Sequence, residues 1–124
     1  MKTYKQFLEE RMTEDDILDS MGKLDTALGD IDRNYNNANK VLKAIAVVRQ
    51  EVKKLRKAPD RDTKQMAKEI DDVAFEMLTR MHHVTGTKKK LDDDEDYMSM
   101  ADFLMELLGD MIDYLEDAVN SEIF

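Results

Sequence analysis

Apolar residues recur at alternating intervals of three and four along the first half of the chain, and this spacing is the strongest constraint on its fold. The series comprises Met21, Leu24, Leu28, Ile31, Tyr35, Ala38, Leu42 and Ile45. It slips by one residue at Val48 and continues to Leu55. Residues spaced in this way lie on one stripe of an α-helix, and such a stripe packs along a partner helix. The chain is therefore predicted to be all-α.

The first predicted helix spans about residues 13–57. Thr13 is a candidate N-cap, because three acidic residues follow it where the helix dipole favours negative charge. The helix must end before Pro59, since the residue that precedes a proline is pushed out of the α region. Unbroken, it would be about 65 Å long at 1.5 Å per residue. We expect a break or bend near Gly22.

Two further helices are predicted at about residues 62–84 and 97–121, separated by a charged linker. Together with the long first helix they predict an antiparallel three-helix bundle. The bundle would form a single domain over residues 11–124, preceded by a separate segment at residues 1–10. Because the first helix is much longer than the others, either it folds back or a second subunit covers its excess length. Homo-oligomerisation therefore stays open.

The net charge of −9 is distributed unevenly along the chain. Residues 91–124 contain 12 acidic residues and no lysine or arginine, whereas the rest of the chain has 16 acidic and 19 basic residues. We define the acidic face as Asp102, Glu106, Asp110, Asp113, Glu116 and Asp117. No cation lies at i+4 to relieve its repulsion. Either an outside basic partner or the basic end of the first helix is therefore predicted to compensate the charge of the acidic face.

Seven basic residues crowd the second half of the first predicted helix. We define the basic patch as Lys40, Lys43, Arg49, Lys53, Lys54, Arg56 and Lys57. It has two interpretations: contact with nucleic acid or an acidic partner, or packing near the acidic third helix, whose charge it would offset. No aromatic residue alternates with these cations, so base stacking is not indicated. The second interpretation is favoured, and nucleic-acid binding is not expected.

Neither catalysis nor metal binding is indicated. The chain has no cysteine, no GxSxG motif and no glycine-rich loop. An EF-hand aligned on Asp92, Asp94 and Asp96 would place Tyr97 at the glycine position and Phe103 at the glutamate position, so the match fails. The acidic linker is instead expected to be solvated and to cap the third helix. We predict no enzyme activity, no cofactor and no metal site.

Targeting to a membrane is not indicated either. No apolar run approaches the roughly 20 residues that span a bilayer. Residues 1–10 lack the continuous apolar stretch of a secretory signal. The protein is expected to be soluble and to begin in the cytoplasm.

The N-terminal sequence Met-Lys-Thr-Tyr-Lys-Gln-Phe-Leu-Glu-Glu is predicted to form a short amphipathic helix with Tyr4, Phe7 and Leu8 on one side. It resembles the capsid-targeting sequence of internal head proteins in T-even-type tailed bacteriophages. The matching residues are Met1 to Tyr4, the Phe7–Leu8 pair and a Leu-x-Glu site. That resemblance implies recruitment through Tyr4, Phe7 and Leu8, and cleavage by the prohead protease at Leu8-Glu9-Glu10, after Glu10.

The leading functional hypothesis is a non-enzymatic phage head-interior protein, either a prohead core (scaffold-type) component or a packaged internal protein. It would bind core or capsid proteins in the host cytoplasm during assembly and would be found in the head interior of the virion. One alternative is an inhibitor of a host defence or nucleic-acid enzyme that mimics DNA with its acidic face. A second alternative is a general helical adaptor or dimerisation module.

Overall fold

A computed structural model describes residues 13–58 and 60–121. The described residues form four α-helices and no β-strand: α1 (Glu14–Asn34), α2 (Ala38–Leu55), α3 (Arg61–Thr85) and α4 (Glu95–Asn120). One 3₁₀ turn, Leu91–Asp93, precedes α4. The all-α prediction is confirmed. The prediction of three helices is wrong, because the first predicted helix is two helices, α1 and α2.

The break in the first predicted helix lies between Asn34 and Ala38, not near Gly22. Asn37 adopts an extended conformation (φ −109°, ψ 102°), and its side chain accepts a hydrogen bond from the backbone N–H of Lys40 at 3.2 Å. Asparagine caps helices well because its side chain replaces the missing backbone acceptor. Gly22 continues α1, since one glycine costs a helix only about 1 kcal/mol relative to alanine.

The four helices pack in a ring. α1 packs against α2 and α4, and α3 packs against the same two helices, so α2 and α4 are diagonally opposed. Short connections make consecutive helices antiparallel, which gives an up-down-up-down four-helix bundle. The excess length of the first predicted helix is therefore covered within the chain, by α1 folding onto α2.

Each helix buries residues at the three-four spacing of a coiled coil. In α1 these are Ile17, Ser20, Leu24, Ala27 and Ile31; in α4 they are Tyr97, Ala101, Leu104, Leu108, Met111, Leu115 and Ala118. The stripe in α1 is rotated from the one predicted, since Met21 and Leu28 are only partly buried. Phe103, which precedes the buried Leu104 in α4, is 50% exposed.

Two tyrosines of α4 fasten the opposite ends of the bundle. Tyr97 donates a hydrogen bond to the backbone carbonyl of Tyr35 at 2.6 Å, and burial raises the pKa of Tyr97 to about 12. At the other end, Tyr114 donates to the carboxylate of Asp60 at 2.7 Å, which raises the pKa of Tyr114 to about 12. Asp60 is also the N-cap of α3, accepting from the N–H of Thr63 at 3.0 Å.

Asp94 joins α3 to α4. It caps α4 by accepting the backbone N–H of Tyr97 at 2.8 Å, as expected of the acidic linker. It is not solvated as predicted, because only 1% of it is exposed. Its two carboxylate oxygens accept from Arg80 at 2.9 and 2.7 Å. These bonds, with that from Tyr97, hold the pKa of Asp94 well below its usual range.

Two neighbouring residues of α4 test the position of its buried stripe. Leu104 is fully buried, so Leu104→Ala should lower the free energy of unfolding by about 2–5 kcal/mol through lost burial and a cavity. The half-exposed Phe103 serves as the control, and Phe103→Ala should cost less than about 1 kcal/mol. Urea denaturation followed by circular dichroism measures both. Equal losses would contradict the observed stripe.

Asp94 should make stability depend on pH. Its folded pKa lies below the unfolded value, so its contribution is present above the unfolded pKa of about 3.9 and is lost as the pH falls further. The difference in unfolding free energy between pH 7 and pH 3 should therefore be smaller in Asp94→Asn than in the wild type. Asp92→Asn, at an exposed position, should match the wild type. Denaturant titrations at the two pH values measure this, and identical pH dependence in all three proteins would contradict it.

Candidate protein-binding surfaces

The acidic face lies on the outer surface of α4. All six of its residues are exposed. At 3.6 residues per turn they fall within an arc of about 120°, and from Asp102 to Asp117 they extend over about 22 Å. The arrangement is a strip of negative charge along the length of the bundle.

Nothing within the described part of the chain neutralises this strip. The ion pairs of α4 and its preceding residue involve only the N-terminal end, where Arg80 pairs with Asp94 at 2.7 Å and with Asp96 at 3.7 Å, and Lys89 pairs with Asp94 at 3.5 Å. None of the six carboxylates of the acidic face has a cationic partner among the described residues. Their mutual repulsion is therefore not offset by any residue of the ranges 13–58 and 60–121.

The basic patch lies on α2 and is partly engaged within the bundle. Arg49 pairs with Asp71 of α3 at 3.0 Å and lies 5.6 Å above the ring centroid of Phe75. Lys54 pairs with Glu51 at 3.3 Å. The members that are exposed and make no ion pair with another described residue are Lys40, Lys43, Lys53, Arg56 and Lys57.

The two charged surfaces point in opposite directions. α2 packs between α1 and α3, and α4 occupies the diagonal position, so their outer surfaces lie on opposite sides of the bundle. The favoured interpretation, in which the basic patch offsets the acidic third helix, is therefore wrong: no ion pair joins α2 to α4 within the described ranges. The sequence shows both clusters, but the diagonal placement follows from the break at Asn37.

A groove between α1 and α2 was not predicted. Its lining combines the small residues Gly22, Ala27 and Ala44 with polar and charged ones: Asp19, Lys23, Thr26, Asp30, Lys43, Gln50 and Glu51. Two partly exposed apolar residues also line it: Leu18, 45% exposed, on α1 and Val47, 36% exposed, on α2. Small residues give little signal in an apolar pattern, so the sequence did not reveal it.

A buried polar pair lies beside this groove. Ser20 donates a hydrogen bond to Glu51 at 3.1 Å, and each residue is only 1% exposed. Both occupy positions of the three-four repeat where apolar residues are usual, one on α1 and one on α2. Two polar residues at repeat positions of neighbouring helices are a signal that could have predicted the contact, since buried polar groups find partners.

The remaining predicted sites give less information. Residues Tyr4, Phe7, Leu8, Glu9 and Glu10, which form the targeting segment and its cleavage site, lie outside the described residues. Within residues 13–58 and 60–121, no group of three or more His, Cys, Asp or Glu side chains is placed to hold a metal ion. No helix in these ranges is long and apolar enough to cross a membrane.

Reversing one charge at the centre of the acidic face should stabilise the protein. Asp110→Lys creates attractive i, i+4 and i, i+3 pairs with Glu106 and Asp113, which should raise the free energy of unfolding by about 0.5–1 kcal/mol at low salt. Asp25→Lys on α1 is the matched control, because Asp25 is exposed and has no charged residue three or four positions away. Urea titrations at low salt and near 1 M NaCl measure the effect, which should shrink as salt screens it. An equal gain in both variants would contradict a local origin.

Comparison of the chain with known proteins finds no matching family model, no matching curated protein and no matching solved structure.

Proposed function

We propose that this protein is a non-enzymatic bacteriophage head-interior protein, a prohead core component or a packaged internal protein, that acts by binding other proteins. The resemblance of residues Met1–Glu10 to a capsid-targeting sequence supports the location. The acidic face of α4 supports the mode of action. In this proposal the N-terminal segment recruits the protein, and the bundle binds its neighbours.

The observation that carries the proposal is the uncompensated acidic face. Its six exposed carboxylates repel one another along α4 and have no cationic partner among the described residues. A surface that lowers stability is typical of a binding site, because function and stability often conflict there. A partner that presents a row of lysine and arginine side chains would turn this repulsion into attraction and speed association.

The location is tested by mass spectrometry of purified proheads and mature heads of the phage that encodes the protein. Peptides of the bundle should be present in proheads. If the prohead protease cuts after Glu10, a peptide that begins at Arg11 should appear on maturation. Absence of the protein from both proheads and heads would refute the location.

The mode of action is tested by competition for incorporation. Wild-type protein and the triple variant Asp110→Lys, Asp113→Lys, Asp117→Lys are co-expressed during infection, and their ratio in purified proheads is measured. Loss of three favourable charge contacts should reduce incorporation by about tenfold, since 1.4 kcal/mol corresponds to a factor of ten. The variant should fold, because the three positions are exposed.

The matched control carries the same change in net charge on another surface. Glu69, Asp72 and Glu76 are exposed on the outer side of α3, and their replacement by lysine should leave incorporation unchanged. Equal loss in both triple variants would assign the effect to net charge rather than to the acidic face. Equal retention in both would refute binding through α4.

A second candidate function is inhibition of a host defence or nucleic-acid enzyme by DNA mimicry. The straight strip of carboxylates favours it, because enzymes that bind DNA recognise a row of phosphates. Purified protein should then capture a host nuclease or polymerase, and duplex DNA should displace it. A complex that resists both high salt and the α4 triple reversal would refute mimicry.

A further inference from the structure

The groove between α1 and α2 exposes the apolar residues Leu18 and Val47 and is also lined by charged residues, among them Asp19, Lys23 and Lys43. We propose that it binds the chain's own N-terminal segment, Met1–Glu10, and so covers the apolar residues of the targeting sequence. Docking itself is independent of where the protein acts, whereas its consequence for targeting rests on the proposed function.

The lining of the groove suits a helix. Leu18 and Val47 are two of the four large apolar side chains that are exposed among the described residues, and they line the groove from α1 and from α2. The small residues Gly22, Ala27 and Ala44 leave room for larger side chains. A Cβ added at Gly22 would meet no atom within 4 Å, so space remains open there. A groove of this kind binds an amphipathic helix through anchors one turn apart.

The N-terminal segment supplies such anchors. Tyr4, Phe7 and Leu8 are spaced i, i+3 and i+4, and would share one side of a helix. Each is large, whereas three of the residues that line the groove, Gly22, Ala27 and Ala44, are small. Large residues on one surface and small ones on the other allow close packing, which is the usual basis of helix-in-groove binding.

Chain length is compatible with binding in cis. The groove extends along α1 from Leu18 to Asp30, about 18 Å, and a helix of ten residues is about 15 Å long. Arg11 and Met12 connect the segment to Thr13, and connections of 2–8 residues are common between antiparallel helices. Because the segment is tethered, its effective concentration at the groove is on the order of millimolar, so a weak contact suffices.

The consequence is a targeting sequence that is covered before assembly. A neighbour that binds Tyr4, Phe7 and Leu8 must displace them from the groove, so recruitment depends on competition. The proposed cleavage site at Leu8-Glu9-Glu10 lies in the same segment and would be shielded until that displacement. Cleavage would thus follow recruitment.

Hydrogen exchange of the full-length purified protein tests the proposal. Amides of residues 2–10 should exchange at least about tenfold more slowly than in an unstructured chain. Gly22→Leu places a large side chain in the groove at a position where an added Cβ meets no atom within 4 Å, and it should abolish this protection. Gly109→Leu is the matched control: Gly109 also lies within a helix and also has no atom within 4 Å of an added Cβ, and the variant should retain protection.

A second variant avoids any effect on the bundle. Phe7→Ser changes only the segment, and it should increase exchange in residues 2–10 while the amides of α3 stay unchanged. Exchange of residues 2–10 at the unstructured rate in the wild type, or equal protection in all four proteins, would overturn the proposal. Protection that rises with protein concentration would overturn binding in cis and indicate the groove of a second copy. Since no phage component is present, failure here leaves the virion experiments unaffected.

Discussion

Burial of a three-four stripe on each of four helices is the constraint on which the rest of the structure depends. Most of the stability of a helix in a protein comes from tertiary packing of its apolar side, so each of the four helices depends on the neighbours that cover that side. α4 illustrates the balance. Each fully buried leucine contributes about 1.5–3 kcal/mol, whereas each like-charge pair costs about 0.2–0.5 kcal/mol. The buried Leu104, Leu108 and Leu115 therefore keep α4 helical despite its crowded carboxylates.

The positions of α3 and α4 could be predicted to within two residues because caps and apolar periodicity agree there. Gly86 is the C-cap of α3, although its φ of −76° makes no use of the left-handed freedom of glycine. The break at Asn37 was not predicted, because the apolar spacing continues through it from Tyr35 to Ala38 and Leu42. The side chain of Asn37 accepts a hydrogen bond from the N–H of Lys40 and caps α2, so a new helix begins there although the apolar periodicity is uniform.

Sequence patterns predicted the charged surfaces better than the groove. Runs of like charge are visible in one dimension, so the membership of the acidic face and the basic patch could be predicted. Their relative position could not be predicted, because it depends on the number of helices. The break between α1 and α2 produces a ring of four helices, in which α2 lies diagonally opposite the acidic helix α4 instead of beside it. The groove depends on the small residues Gly22, Ala27 and Ala44. Small residues give little signal in an apolar pattern, so the groove could not be predicted from the sequence.

The diagonal arrangement of α2 and α4 gives the bundle an electric dipole across its short axis. In a uniform field such a molecule experiences a torque, and near a polyanion it turns α2 toward the charge and α4 away from it. The net charge of −9 opposes close approach at the same time. In a compartment crowded with nucleic acid, the bundle would therefore be oriented but not bound. Its α2 would face the nucleic acid, and its α4 would face away from it.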